Sequence, residues 1–544
     1  MTKSRSRPVR PNFLWITFED TSPRLGCYGD PVARTPYVDR LAEQGCRYTH
    51  AFSTAAVCAP SRFAVITGMY ATSVGAHHMR TTHTNPHTPE LPTPYSVVVP
   101  PYVKTFTEYL RAAGYFCTNN HKTDYQFTPP LTAWDECSKE AHWRHREENQ
   151  PFFAVFNLAT THESGMWPRA DRPLVTDPDR VRLPPYLPDT PKAREALARH
   201  YDNLAANDAR VGQLLRELDE DGVAENTIVF LWSDHGEGLP RAKRWPYDAG
   251  IRVPLIVRWC GGIDPGSVCD DLVSLIDLGP TVLSLAGLPI PAHMQGQPFL
   301  GPQAQRREYV FAARDRHDEA YDMVRAVRDK RYKYIRHYHP ELPYLLWIPY
   351  RNRHPVMEEM WRLHLEGKLE GPQTLMFRSP RPVEELYDVV ADPDEIHNLA
   401  DDPAHRDTLQ RMRRALDEWR SAFGDMGDVP EAQMVKTMWP DGKQPKTAAP
   451  LFIPLTPSEP GLEATQDGGQ FVAPVAVQIH CATQGASIAY AIDSDPPGRW
   501  RLYTGPVRLP VGRTVLRAKA ARIGYAESEE RVATFAVREA DAAT

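Results

Sequence analysis

The chain has 544 residues, with 63 lysine and arginine residues against 69 aspartate and glutamate residues and a formal net charge of −6. This mild, mixed charge contains no basic block, so the sequence lacks the electrostatic footprint of a nucleic-acid-binding protein. The length allows two or three domains. The eight cysteines are irregularly spaced without a C-x-x-C pair, which argues against a disulfide framework or structural zinc and favours a reducing compartment.

We expect no targeting segment at the N-terminus. Residues 1–10 are basic, but the apolar run 13–16 stops at the acidic pair Glu19 and Asp20. This run is too short for the core of a signal peptide, and no later window reaches the length of a membrane span. We therefore expect a cytoplasmic protein without a membrane partner.

The order of the predicted elements indicates an α/β protein with a mostly parallel central sheet flanked by helices. Helical periodicity alternates with continuously apolar runs of strand length, as in a parallel sheet that is covered on both faces. Such a sheet presents functional side chains at the carboxyl ends of its strands. In chain order the elements are a strand at 13–18, a helix at 104–113, strands at 115–117 and 152–158, a helix at 192–218 and a strand at 227–232.

The pattern changes after about residue 305. A hairpin at 323–336, a strand at 384–388 and a helix at 406–423 predict a smaller α+β subdomain, with an irregular insertion at 344–380. Short alternating strands with glycine and proline turns then predict a β-sandwich. We assign residues 1–305 to the main domain, 306–426 to the subdomain, 427–464 to a proline-rich linker and 465–544 to the sandwich.

The sandwich carries no catalytic motif. Its stretches 482–486, 502–506 and 521–525 resemble the C-terminal domain of chitobiases and hexosaminidases. The aromatic residues Trp500 and Tyr525 can bind sugar, pack in the core or contact a partner subunit. We expect this domain to serve assembly of a homo-oligomer or access to the site, and to be dispensable for chemistry.

The run Cys58-Ala59-Pro60-Ser61-Arg62 lies at a predicted loop-to-helix junction. A cysteine there is either a nucleophile at a positive helix N-terminus, with Arg62 as an anion clamp, or a buried structural residue. The run resembles the signature of the type I sulfatases of the alkaline phosphatase superfamily. That resemblance implies oxidation of Cys58 to 3-oxoalanine (formylglycine) by a formylglycine-generating or anaerobic sulfatase-maturating enzyme.

Two pairs of polar residues end predicted core strands, Glu19 with Asp20 and Asp234 with His235. Oxygen-rich ligands of this kind suit a hard divalent cation, although each pair alone is also typical of a solvated turn. Both pairs match sulfatase metal motifs, with Glu19 where an aspartate is usual. The resemblance implies a metal that also contacts residue 58, with calcium the usual ion and manganese or magnesium open because imidazole suits softer metals.

Three further residues match sulfatase motifs. Lys243 heads a Lys-x-x-x-Tyr block, Lys122 stands where the family has a sulfate-binding lysine, and His162 closes the strand at 152–158. The resemblance implies that all three contact the sulfate or the leaving oxygen. The chain departs from the family at Asp124, where a histidine often acts as the base, so His121 or Tyr125 are alternative bases. We also expect His77, His78, Arg80 and Asp124 to line the substrate pocket.

The five matched motifs predict a sulfatase acting on a small-molecule sulfate ester. The resemblance implies attack on sulfur by the hydrated formylglycine, loss of the alcohol and elimination of sulfate. A phosphonate monoester or phosphodiester hydrolase on the same scaffold is an alternative, because the same nucleophile and metal serve phosphorus. A non-catalytic carbohydrate-binding protein is the alternative from another class. The leaving alcohol is not encoded in the motifs.

Overall fold

A computed structural model describes residues 10–168 and 172–540; the outermost residues of the two predicted terminal domains lie outside these ranges. The largest sheet has eight strands in the order β4-β3-β5-β1-β6-β7-β2-β8, and β7 alone runs against the others. This confirms the predicted α/β class with a mostly parallel sheet. The strands are β1 (Asn12–Phe18), β2 (Cys46–Phe52), β3 (Phe116–Asn120), β4 (Glu136–Cys137), β5 (Phe152–Leu158), β6 (Thr227–Ser233), β7 (Arg252–Arg258) and β8 (Ser267–Ser274).

Helices cover both faces of this sheet, because the central strands are apolar on both sides. Leu14 and Ile16 of β1 enter the core on one face, whereas Phe13 and Trp15 enter the core on the other. Alternate side chains of a strand point to opposite faces, so each face has its own core. The helices are α1 (Pro36–Glu43), α2 (Cys58–Thr67), α3 (Phe106–Ala112), α4 (Pro191–Glu220), α5 (Asp248–Ile251) and α6 (Leu278–Leu285).

A four-stranded antiparallel sheet in the order β12-β11-β10-β9 forms the smaller subdomain. The insertion predicted to be irregular contains two helices, and the second buries Met357 and Met360 in the main-domain core. The strands are β9 (Val310–Arg314), β10 (Val324–Arg328), β11 (Tyr332–His337) and β12 (Glu384–Asp388), and the helices are α7 (Pro349–Asn352), α8 (Pro355–Leu365), α9 (Arg406–Phe423) and α10 (Glu431–Met438).

Two further sheets, β13-β15-β18 and β14-β20-β19-β16-β17, form the C-terminal sandwich. The strands are β13 (Leu451–Leu455), β14 (Gly468–Val472), β15 (Val475–His480), β16 (Ser487–Ile492), β17 (Arg501–Leu502), β18 (Val507–Leu509), β19 (Gly512–Ala521) and β20 (Arg531–Arg538). The predicted linker 427–464 differs from the structure, because it contains α10 and β13. Met434 and Met438 of α10 are buried in the main core, a pattern that the neighbouring prolines obscure in the sequence.

The sandwich packs against the main domain of its own chain. Lys104 donates to Ser487 Oγ (2.8 Å), and Arg111 donates to the carbonyl oxygen of Trp500 (2.7 Å). Tyr503 accepts a hydrogen bond from the Ile479 amide (3.0 Å) within the sandwich. The Trp500 and Tyr525 rings contact the guanidinium groups of Arg517 and Arg522, so part of the aromatic surface that we had expected to face a partner subunit packs within the chain. Among the described helices, none combines the length and apolarity needed to cross a membrane.

Candidate active site

The carboxyl ends of β1 and β6 bring the two predicted metal-binding pairs together. The strands are parallel neighbours, with Phe18 beside Ser233. As a result, His235 Nε2 lies 3.0 Å from Asp20 Oδ1, and the Asp20 amide donates to Asp234 Oδ1 (3.2 Å). Glu19, Asp20, Asp234 and His235 are all almost completely buried. Asp20 adopts a left-handed φ of 48°, a strained conformation that is typical of functional sites.

Helix α2 begins at Cys58 and directs its first turn at this cluster. The Cys58 side chain is buried, and its Sγ lies 3.4 Å from His235 Nε2. Ser61 Oγ donates to the Asp234 carbonyl oxygen (2.5 Å), which fixes the helix against the end of β6. Arg62 Nε donates to Asp234 Oδ2 (2.9 Å). The predicted nucleophile and the predicted ligands therefore share one cavity.

Two lysines, Lys243 and Lys122, join Arg62 as cations around this cluster. Lys243 Nζ lies 2.7 Å from Asp20 Oδ2 and 3.3 Å from His162 Nε2. Lys122 Nζ lies 3.0 Å from Glu19 Oε1 and 3.3 Å from an oxygen of Asp124. Burial alone would lower the pKa of each lysine, but Cys58 and then Glu19 raise the pKa of Lys122, and Asp20 and then Glu163 raise that of Lys243. Both lysines are therefore charged at neutral pH.

His162 lies between this ring and the subdomain. Its Nδ1 is 2.9 Å from Ser164 Oγ, and its ring centroid is 6.4 Å from that of Tyr350. Burial, and then the charge of Lys243, lower the pKa of His162, so the imidazole is neutral at neutral pH.

The buried residues fit a divalent cation. Two sets of side chains, Asp20 with Cys58 and His162, and Cys58 with Asp234 and His235, bring their ligand atoms within 4.8 Å of one another. Glu19 Oε1 and Asp20 Oδ1 are buried, and although Lys122 and His235 lie 3.0 Å from them, neither contact has hydrogen-bond geometry, so these oxygens keep lone pairs for a cation. Burial would lower the pKa of His235, but Asp234 and Asp20 raise it to about 10. The local field therefore favours positive charge.

A pocket with a volume of about 670 Å³ opens above Cys58. Arg80 and Asp124 line it, together with Lys122, Lys243 and His162. His77 and His78 do not belong to its lining, in contrast to our prediction. Their rings lie 4.2 Å apart in the interior, where His78 Nδ1 accepts from the Arg316 amide (3.3 Å).

The sequence analysis missed several residues of the site. Arg62 donates to Asn157 Oδ1 (2.7 Å) at the end of β5, and Arg244 donates twice to Glu163 (2.9 and 2.7 Å). Asn157 could have been found by the strand-end rule that located the metal-binding pairs. Asp318, which also lines the pocket, comes from the subdomain and belongs to no motif.

The comparisons with known proteins agree with this site. The sulfatase family model matches residues 11–129 and 134–288, and the model described as N-sulphoglucosamine sulphohydrolase, C-terminal, matches residues 236–355. An "Ulvan-active sulfatase" of Formosa agariphila is 40% identical, over 96% of this chain and 91% of that protein. The chain belongs to the sulfatase family and is a sulfuric ester hydrolase, which confirms the predicted class of enzyme and sets aside the non-catalytic alternative.

Solved structures share the fold. One titled as a 2-O GAG sulfatase has a TM-score of 0.57 at 21% identity and covers 77% of this chain and 94% of that chain. The phosphonate monoester hydrolase of Silicibacter pomeroyi has a TM-score of 0.56 at 18% identity and covers 77% and 97%. Because the scaffold occurs in both, the fold alone does not separate sulfur from phosphorus chemistry. Sulfatases generally use a formylglycine and a divalent metal, and the residues described above fit both groups.

Proposed function

We propose that this sulfatase removes sulfate from saccharides, using residue 58 after oxidation of its cysteine and a cation held by Glu19, Asp20, Asp234 and His235. The observation that carries the proposal is the position of Cys58 Sγ, 3.4 Å from His235 Nε2 at the base of a pocket lined with cations. The sugar substrate is supported by the ulvan-active relative and by the match to the N-sulphoglucosamine sulphohydrolase model.

Calcium is our candidate for the ion, because three of the four ligand residues are carboxylates. Manganese and magnesium, which also prefer carboxylate oxygens, are the alternative ions. When bound, a divalent cation polarises the sulfate group and offsets its negative charge, and the formylglycine hydrate supplies a hydroxyl nucleophile.

Lys122, Lys243 and Arg62 bind the sulfate oxygens in this proposal. Fixed cations in a buried pocket stabilise negative charge more than they would in water, and they need no reorganisation during the reaction. Lys243 also donates a hydrogen bond to the oxygen of the departing alcohol, because its raised pKa keeps the ammonium protonated beside the neutral His162. His162 orients the Lys243 ammonium through its Nε2.

Asp124 is our candidate for the base. Burial would raise its pKa, but Lys122 and Arg62 lower it, so that Asp124 is a carboxylate on the pocket wall at neutral pH. Tyr125 also lines the pocket, but burial raises its pKa and keeps its hydroxyl protonated. His121 is exposed and lies outside the pocket lining. Asp124→Asn should therefore lower turnover.

The decisive experiment compares the protein expressed with and without a formylglycine-generating enzyme. The mass of the peptide containing residue 58 should show the aldehyde, and the rate of 4-nitrophenyl sulfate hydrolysis should rise with the modified fraction. Cys58→Ala should abolish turnover without a change in the melting temperature. Retention of most of the turnover by Cys58→Ala would refute the proposed nucleophile. A higher kcat/KM for an aryl phosphodiester or phosphonate than for the aryl sulfate would favour the alternative substrate class.

Chelation tests the cation separately. Treatment with EDTA should lower both activity and melting temperature, because a ligand at about 100 times its Kd stabilises the folded state by about 2.7 kcal/mol. Add-back of Ca²⁺, Mn²⁺ and Mg²⁺ should identify the ion. If metal analysis shows that the ion has been removed completely, and the melting temperature and activity are both unchanged, the proposed cation site is refuted.

A further inference from the structure

A second cavity adjoins the pocket above Cys58. This cavity, which we call the side cleft, has a volume of about 180 Å³ and shares Arg80, His83 and Asp318 with the main pocket. Its far wall includes Glu319 and Tyr350. The side cleft therefore adjoins the pocket in which we propose that the sulfated sugar binds.

The polar atoms of the side cleft that lack hydrogen bonds are acceptors. Glu319 Oε2 is buried without a hydrogen-bond partner. Asp318 is nearly buried, and its Oδ1 lies 3.2 Å from Arg80 Nε in an ion pair without hydrogen-bond geometry, which leaves acceptor positions on the carboxylate free. Buried acceptors of this kind gain most from a ligand that brings donors.

The cations at the side cleft are already engaged. Arg316 donates to both oxygens of Glu431 (2.6 and 2.7 Å), and the Arg80 guanidinium lies 4.7 Å from the centre of the Tyr350 ring. A second anionic group would therefore meet two carboxylates without a free cation to offset them. Hydroxyl groups, in contrast, can donate to the carboxylates while a sugar ring packs on the aromatic side chain.

The backbone supports a binding role. Arg80 and Asp318, which form an ion pair and line both cavities, have φ angles of 57° and 47°. Left-handed φ values in residues other than glycine are strained and cluster at ligand-binding positions.

We propose that the side cleft binds the sugar unit adjoining the sulfated one, through hydroxyl groups that donate to Asp318 and Glu319. This inference rests on the proposed saccharide function and extends it: the preferred substrate has at least two sugar units.

The test compares wild type, Glu319→Ala and Glu319→Gln, all with the aldehyde at residue 58 verified by mass spectrometry. The substrates are ulvan oligosaccharides of two and four units and 4-nitrophenyl sulfate. Glu319→Ala should lower kcat/KM for the oligosaccharides about tenfold more than for the aryl sulfate. Glu319→Gln preserves the side-chain volume and replaces the alanine variant in the comparison if that variant folds poorly. It should show the same larger loss of kcat/KM for the oligosaccharides than for the aryl sulfate. Glu90→Gln, an exposed carboxylate on the loop that carries Arg80, is the matched control.

Binding gives a second measurement. In the Cys58→Ala background, Glu319→Ala should weaken the binding of a desulfated ulvan tetrasaccharide in calorimetry by about tenfold. Equal losses on both substrates, or no loss on either, would overturn the inference. A mature wild type that hydrolyses the aryl sulfate but not the oligosaccharides would also overturn it, while leaving the sulfatase chemistry intact.

Discussion

Glu163 neutralises two nearly buried cations of the site, Arg244 and Lys243. It accepts two hydrogen bonds from Arg244 and lies 3.1 Å from Lys243 Nζ. Burial would raise the pKa of Glu163, but Arg244 and Lys243 hold it well below its usual range. Removal of one partner from such a buried group leaves an uncompensated charge, which costs more than the intact pair contributes.

Glu163→Ala should therefore lower the free energy of unfolding by about 3–5 kcal/mol, as measured by urea denaturation. The double variant Glu163→Leu with Arg244→Met replaces the pair by apolar side chains of similar size. It should recover most of this stability but not the activity, because Lys243 still lacks its second carboxylate. If the single and double variants have equal free energies of unfolding, the Arg244 charge that the single variant leaves unpaired does not destabilise the fold.

The metal-binding pairs could be predicted from the sequence because both follow apolar strands, and parallel strands end at one edge of a sheet. Asp318 and Tyr350 could not be predicted as site residues. They come from more than 200 residues beyond Cys58, and the fold brings Asp318 to both cavities and Tyr350 to the side cleft. His77 and His78 were placed wrongly for a related reason. Their spacing from Cys58 is compatible with either a pocket wall or the interior, and only the packing of Arg316 against them decides between the two.

The turn after β6 shows how an element positions a metal ligand. The amide of Gly236, the residue after His235, donates to the Gly250 carbonyl oxygen (2.8 Å). Gly236 therefore packs directly against α5. A Cβ atom at Gly236 would come within 2.1 Å of the Ala249 carbonyl oxygen. The absence of a side chain there fixes the position of His235.

Gly236→Ala should accordingly displace His235. We expect a loss of about 1–3 kcal/mol in unfolding free energy, a size typical of overpacked interior sites, and at least a tenfold fall in kcat/KM for 4-nitrophenyl sulfate. Gly505→Ala is the control, because a Cβ at Gly505 meets nothing within 4 Å. If both variants behave like wild type, the turn does not constrain the ligand.

Glu385 of β12 ties the subdomain to the loop that carries Lys243. It accepts hydrogen bonds from Tyr247 (2.9 Å), Tyr344 (2.5 Å) and Tyr387 (2.8 Å) and lies 2.9 Å from His337 Nε2. Burial would raise the pKa of Glu385, but His337, and then Tyr344 and Arg241, lower it to about 2 from its usual 4.5. Its stabilising effect is therefore full above pH 4.5 and is lost as the pH falls towards 2.

Glu385→Gln should lower the unfolding free energy by about 3 kcal/mol at pH 7, since each unit of pKa shift corresponds to about 1.4 kcal/mol. The difference from wild type should shrink as the pH falls below 4.5. Glu341→Gln, an exposed carboxylate of the same subdomain, is the control. A difference that stays constant from pH 7 to pH 3 would contradict the assigned protonation state.

At the scale of the whole molecule, the sandwich braces the loop that forms one wall of the pocket. Met79 and Arg80 line the pocket, and the same irregular segment runs on to residue 103. There Arg522 donates to the Val99 carbonyl oxygen (3.1 Å). The sandwich contributes no residue to the pocket lining, so we still predict that truncation leaves turnover of a small aryl sulfate within about tenfold.

The glycines of the sandwich offer a cleaner test of this brace than truncation does. A Cβ at Gly524 would come within 2.3 Å of the Val97 carbonyl oxygen, whereas a Cβ at Gly498 meets nothing within 4 Å. Both have left-handed φ angles, 84° and 81°, so alanine causes the same backbone strain of about 1 kcal/mol at either position. Any further effect of Gly524→Ala therefore comes from the interface.

Gly524→Ala should increase hydrogen exchange of the amides in residues 79–103 and raise KM for the saccharide substrate, because the wall that carries Arg80 loses its support. Gly498→Ala should lower the melting temperature slightly without either effect. If the two variants give the same exchange pattern in residues 79–103, the sandwich does not hold this loop. Its role would then be limited to assembly, which a change of oligomeric state on truncation after Gly442 would reveal.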